Sequence, residues 1–161
     1  MDKIEILQQL RLLESALEKI SKSESVMVSS FCLGEDWYFI THHYHLYANT
    51  GKIGDFQFLL EKQMPSGRFS EKGHITGHFE HDLRSVIDEK IITLRSVRTC
   101  ERSRGLGSKL MVSFLKFAKH HLVDEIHASF YPADEWNAER RKHFYEKHGF
   151  IIHANGCIKY L

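Results

Sequence analysis

Eight consecutive residues, Arg102-Ser103-Arg104-Gly105-Leu106-Gly107-Ser108-Lys109, combine two glycines with three cations, a composition suited to holding an anion. Before them, Lys90 to Arg98 (KIITLRSVR) is rich in Ile, Val and Thr and predicts a strand. After them, Leu106, Leu110, Phe114, Phe117, Ala118 and Leu122 recur at steps of three and four and predict an amphipathic helix. Glycines in such a strand-to-helix turn let the backbone bend tightly and approach a ligand. The first-turn N–H groups of the helix, at the positive end of its dipole, then face a phosphate. Arg102, Arg104 and Lys109 add positive charge around the same point.

The spacing separates kinds of phosphate cradle. A P-loop requires its glycine directly before the lysine, whereas Ser108 stands between Gly107 and Lys109. A dinucleotide fingerprint requires a third glycine where Leu110 sits. What fits is Arg-x-x-Gly-x-Gly, formed by Arg102, Gly105 and Gly107, which resembles the acyl-CoA pyrophosphate loop of the GNAT superfamily of N-acetyltransferases. A second stretch, Phe144-Tyr145-Glu146-Lys147-His148-Gly149-Phe150, looks like the Phe-Tyr-x-Lys-x-Gly-Phe signature that closes the last helix of that superfamily. It follows the glycine loop by about forty residues, with room for a helix and a strand between. The resemblance covers roughly residues 90 to 161. No diagnostic motif lies upstream of Lys90.

The resemblance implies an α/β (α+β) fold, with a mixed, splayed central sheet flanked by helices, in one domain over residues 1 to 161. It implies acetyl-CoA as cosubstrate and direct acetyl transfer to a primary amine, of a small molecule or a protein. The pyrophosphate would rest on Arg102, Ser103, Arg104, Gly105, Leu106, Gly107, Ser108 and Lys109, chiefly through backbone N–H groups. The preceding strand, near Arg95 and Val97, would pair with pantetheine and polarise the thioester carbonyl. Donors aimed at developing charge in this way lower a barrier by about 3–4 kcal/mol. Tyr145 would stand beside the leaving sulfur; a phenol titrates near ~10 and stays protonated at neutral pH, so it can act as the acid. Relatives carry Asn seven residues before this tyrosine and Ala four before it, where this chain has Ala138 and Arg141. Asn137, one residue early, is a candidate for pantetheine and equally for a helix cap. A reading from a different class keeps the cofactor site without catalysis, as an acyl-CoA-binding regulatory module.

Composition narrows the class. The chain has 161 residues, 22 Lys and Arg against 21 Asp and Glu, and a net charge of +1. That balance argues against a dedicated nucleic-acid or membrane binder. Cys32, Cys100 and Cys157 are odd in number and lack metal-type spacing, as expected of reduced thiols in the cytoplasm. A homodimer is common among similar proteins.

The remaining elements follow from pattern. Ile4, Leu7, Leu10, Leu13, Leu17 and Ile20 predict an amphipathic helix over residues 3 to 21, packed on the core or on a partner subunit. VMVSSFCL, WYFITHHYHLYA and DFQFLLEK predict an antiparallel meander between Val26 and Lys62. Residues 67 to 89 are ambiguous between strand and helical turn. Asp124 to Tyr131 predicts a strand. A helix from Glu139 to Lys147 would stop at Gly149, with Asp134 or Asn137 at its start. Asn155-Gly156 predicts a two-residue hairpin.

Two questions stay open in the sequence. Glu80, His81, Asp82, Glu35 and Asp36 are all available as a base, and none is marked out. The twelve histidines include His42, His43 and His45, and a set with helix-like spacing at His74, His78 and His81. Neighbouring strand residues face opposite ways, so His42 and His43 do not chelate together, and surface positions explain them better than a metal.

Overall fold

The computed structural model describes residues 25–46, 53–80, 90–100, 104–130 and 137–161. The helix expected over residues 3 to 21 lies outside them, as do His81 and Asp82. Five strands come first: β1 (Ser25–Leu33), β2 (Asp36–Leu46), β3 (Ile53–Gln63), β4 (Phe69–Glu80) and β5 (Ile91–Thr99). Each pairs antiparallel with the next, and β1 to β3 form the meander that the β-branched and aromatic runs between Val26 and Lys62 predict. Tight turns make this possible: Gly34 and Gly67 take positive φ, and the Gly67 N–H donates to the Met64 carbonyl at 2.9 Å. Then come helix α1 (Leu106–His120), β6 (Glu125–Ser129), helix α2 (Ala138–Lys147), β7 (Ile151–His153) and β8 (Gly156–Tyr160). The sheet order is β1-β2-β3-β4-β5-β6-β8-β7, and β5 with β6 is its one parallel pair among the described residues.

The ambiguous stretch resolves as β4, whose buried positions are Gly73, Ile75, Gly77 and Phe79. Its glycines answer close contacts. A Cβ on Gly77 would lie 2.8 Å from the Phe56 ring, and one on Gly73 would lie 2.9 Å from the Thr99 methyl. This face of the sheet packs on α1 through Leu106, Leu110, Met111, Phe114 and Ala118. The rings of Phe56 and Phe114 stack at 5.6 Å, and Phe58 meets Phe117 at 5.2 Å. Such aromatic pairs add about 0.5–1.5 kcal/mol beyond their buried area.

Three expectations are corrected. Leu122 is 73 % exposed, because α1 ends at His120 and Leu122 takes φ 55, turning its side chain off the apolar stripe. The Val123 and Leu122 N–H groups donate to the Ala118 and Lys119 carbonyls, a Schellman closure with leucine in the glycine position. The final hairpin turns at Ala154-Asn155, and Gly156 already pairs with His153 in β8. Gly156 is needed for close approach instead: a Cβ there would lie 2.3 Å from the Ala128 carbonyl oxygen. His42 is a core residue, 5 % exposed, against Phe58 at 4.6 Å and Phe117 at 4.4 Å.

The burial of His42 has a thermodynamic sign. Removal from water drops its pKa from 6.5 to about 4, and His121 and His43 push the same way. The folded state therefore keeps the ring neutral while the unfolded chain binds a proton between those values. Stability is full above about pH 6.5 and falls as pH drops toward 4, by roughly 3 kcal/mol for this one group. Urea unfolding across that range is expected to show the loss, and His42→Phe to remove most of it; a flat profile would contradict the burial.

Candidate functional site

The site begins where two strands part. β5 and β6 pair in parallel register from Ile91↔Glu125 to Leu94↔Ala128 and no further, although β5 runs on to Thr99. At this point β5 carries an extra residue. Thr76 pairs with Ser96 and Gly77 with Leu94, so Arg95 is a bulge against β4. A bulge increases twist and bends its strand, which turns the second half of β5 away from β6. Backbone groups on that flank of Arg95 to Thr99 then face the opening and not a β6 partner.

One end of the opening is formed by the start of α1. Gly105 occupies the N-cap position with φ 72 and makes no side-chain cap hydrogen bond, and the first turn carries no acid. First-turn N–H groups lack an intrahelical carbonyl, so those of this turn face outward at the positive end of the helix. Gly107 is closely bordered: a Cβ there would lie 3.4 Å from the Phe144 ring and 3.6 Å from the Thr99 methyl. The end of β5, the start of α1 and helix α2 therefore converge at Gly107.

The last turn of α2 explains the second motif. The Phe150 N–H donates to the Tyr145 carbonyl at 3.1 Å and the Gly149 N–H to the Glu146 carbonyl at 2.8 Å, with Gly149 at φ 78. This is a Schellman closure, and the Tyr145 and Phe150 rings make its accompanying apolar contact at 5.1 Å. Tyr145 is 7 % exposed. Its ring also meets Phe130, just past the end of β6, at 5.7 Å, and Phe144 at 5.5 Å. Tyr145 thus stands between the end of β6 and the Gly107 junction. Burial raises its phenol pKa above the ordinary value, and the nearby Cys157 adds to the rise while Arg141 opposes it. The Ser108 hydroxyl ties the two helices, within 3.3 Å of His148 Nε2 and 3.4 Å of Lys147 Nζ. Burial, Lys147 and Lys159 lower the His148 pKa.

The other sequence-nominated residues divide. Arg102 and Ser103 lie outside the described residues. Arg104 donates to the Tyr38 hydroxyl at 3.0 Å and lies 3.5 Å from Asp36, so its charge is engaged with β2. Lys109 sits over the Phe31 ring at 4.8 Å, on the β1 side of α1. Leu106 is core, 1 % exposed, and contributes backbone only. Val97 packs against the core, and Arg95 pairs with Asp55 at 2.9 Å on the surface. Asn137 holds the N-cap position of α2 without a side-chain cap hydrogen bond. Arg141 stacks on Phe130 at 4.6 Å.

Glu80 binds the Thr93 hydroxyl at the start of β5, away from the opening. Asp36 is paired with Lys62 at 2.8 Å, which holds its carboxyl below the usual range. Among the described residues, no three His, Cys, Asp or Glu side chains converge as metal ligands, and no helix is long and apolar enough to cross a membrane. Sequence reasoning missed Thr99 and Phe144 as walls of the junction, and the partners of His74. Strand alternation alone does not reveal the latter, because bulges at Lys72 and Arg95 interrupt it.

Comparison with solved structures decides the architecture. An acetyltransferase of the GNAT family from Streptococcus pneumoniae superposes with a TM-score of 0.50 at 16% identity, over 67% of this chain and 68% of that one. The fold is that of the GNAT acetyltransferases. A Trypanosoma brucei acetyltransferase matches with a TM-score of 0.48 at 18% identity, covering 63% of this chain and 66% of its own. An Arabidopsis thaliana protein, solved with the bisubstrate analogue CoA-Ac-MVNAL, matches with a TM-score of 0.47 at 18% identity, covering 65% and 72%. No family model matches the sequence, and no curated protein matches it. In this GNAT fold β5 and β6 are the splayed pair, and α1 and α2 cover one face of the sheet beside them.

The thiols give a direct check on this packing. Cys157 is 2 % exposed, and burial pushes its thiol up to about 12, while Cys32 and Cys100 are exposed. A maleimide is expected to label Cys32 and Cys100 in the native protein and Cys157 only on unfolding. Rapid native labelling of Cys157 would contradict the packing of β8 under Tyr145.

Proposed function

We propose that this chain transfers an acetyl group from acetyl-CoA to a primary amine, of a small molecule or a protein, by direct attack on the thioester. The observation that carries the reading is the convergence of three features on one opening. These are the parting of β5 from β6 after Leu94, the Gly105–Gly107 start of α1, and Tyr145 beside the end of β6. The residues fit the cosubstrate chemically. A helix start with a left-handed glycine cap, no acid in its first turn and no side chain on Gly107 suits a diphosphate. The unpaired flank of β5 suits an amide-bearing arm, because backbone donors and acceptors there need partners.

The protein's part is to orient and to stabilise charge. N–H groups at the Arg95 bulge would meet the oxygen of the thioester carbonyl as it becomes negative. Tyr145 would donate a hydrogen bond to the departing sulfur. Its raised pKa keeps it protonated, and complete transfer from a phenol held above ~10 to an alkyl thiolate, the weaker base, is uphill. Its hydrogen bond is therefore the useful contribution, strengthened by exclusion of water. The three free cysteines suit a reducing compartment, in keeping with a cytoplasmic enzyme.

Release of free CoA across a panel of amines, with product masses, tests the reading. Tight CoA binding without turnover on any acceptor would favour the binding-module alternative. Tyr145→Phe is expected to cut turnover by about a hundredfold to a thousandfold, the range of one well-placed donor, and to leave acetyl-CoA affinity close to wild type. Unchanged turnover with chemistry rate-limiting would remove Tyr145 from this role. Gly107→Asp should keep the fold, since an acid in a first helical turn is favourable, yet lose CoA binding through repulsion of the diphosphate. Wild-type affinity in that variant would contradict the cradle.

A further inference from the structure

The opening has two faces. On the helix side it is walled by Val97 packed on the core, by Gly107 with Phe144, and by Tyr145. A second reactant therefore reaches it from the opposite face, where β4 and β5 present His74, Thr76, Ser96 and Arg98. There, His74 Nδ1 lies 2.8 Å from Glu71 Oε1, and His74 Nε2 lies 3.1 Å from Ser96 Oγ. A carboxylate only accepts hydrogen bonds, so in the neutral ring Nδ1 carries the proton and Nε2 accepts from the Ser96 hydroxyl.

Two irregularities of the sheet build this line of three groups. Residues three apart in a regular strand face opposite ways. Here Gly73 pairs with Leu60 and Glu71 with Glu61, so Lys72 is an extra residue that brings Glu71 round to the face of His74. The second bulge, Arg95, ends the β5–β6 pairing and sets Ser96 beside the opening. Across the sheet from His74 stand Leu59 on β3 and Arg98 on β5.

We propose that Ser96, His74 and Glu71 form the proton relay that readies the acceptor amine, an inference that rests on the acetyl-transfer reading. The Ser96 oxygen takes a proton from the acceptor's ammonium nitrogen as its own proton passes to His74 Nε2. The imidazolium so formed is held by Glu71, the positioning residue. Passing a proton from an alkylammonium to an imidazole is uphill in water, because the amine is the stronger base. Acylation draws it forward by consuming the neutral amine, and His74, 23 % exposed, returns the proton to solvent.

The test compares two nucleophiles with acetyl-CoA. The side-chain amine of Nα-acetyl-lysine amide is an ammonium at neutral pH, whereas hydroxylamine is largely neutral and bypasses the relay. His74→Gln and Ser96→Ala are expected to slow CoA release with the lysine probe by about a hundredfold and with hydroxylamine by no more than about twofold. CoA affinity by calorimetry should not change. Glu71→Gln, at a side chain 51 % exposed and so tolerated by the fold, should give a smaller loss of the same selective kind. Equal rates with both probes in all three variants would overturn the relay, and so would equal loss of both with CoA still bound. Wild-type protein that fails to bind CoA would overturn the acetyl-transfer reading itself, and binding with transfer to neither probe would overturn both.

Discussion

The structure depends on a hydrogen-bond ladder that stops early. β5 and β6 share four register pairs and then separate, while β5 continues to Thr99. In a sheet interior this is costly, because each unpaired backbone group must find another partner or water. The Arg95 bulge supplies the bend, and the aromatic packing of Phe130, Tyr145 and Phe150 holds the end of β6, helix α2 and the chain after it in place. The opening is therefore bordered by packed elements on either side.

The same constraint orders the site. α1 must begin close to the end of β5, and at Gly107 its first turn comes within van der Waals reach of Thr99 and Phe144. α2 must end beside α1, and the Schellman closure at Gly149 sets its last turn so that Tyr145 faces inward while Lys147 and His148 reach Ser108. Part of the Phe-Tyr-x-Lys-x-Gly-Phe string is thus a helix stop. Its glycine and final phenylalanine hold the tyrosine's backbone, and in the proposed reaction the tyrosine alone of this string touches the reacting sulfur.

Much of this was legible in the sequence where local physics and position agree. The strand, the glycine turn and the amphipathic helix around Gly105 carry their own signals, as does the stop at Gly149. β4 was not legible because its core face reads Gly73, Ile75, Gly77, Phe79, and two of those four positions are emptied of side chain by contacts with Thr99 and Phe56. Asn155-Gly156 misled for a related reason, since Gly156 serves the approach of β8 to Ala128 and not the turn. The burial of His42 is not legible, because a polar residue gives no sign that aromatic neighbours from β3 and α1 will enclose it. Arg104 and Lys109 fall in the motif, yet β2 and β1 engage their charges, a tertiary fact no spacing contains. The line from Glu71 through His74 to Ser96 depends on two bulges, and single-residue irregularities of that kind leave no periodic trace.

The most direct measurement is a crystal structure of the protein with CoA bound. The expected result is the diphosphate against the backbone N–H groups that open α1 at Gly105 to Ser108, the pantetheine arm along β5 from Thr99 toward Arg95, and the thiol beside the Tyr145 hydroxyl. CoA lying elsewhere, or an arm directed away from the gap between β5 and β6, would contradict it.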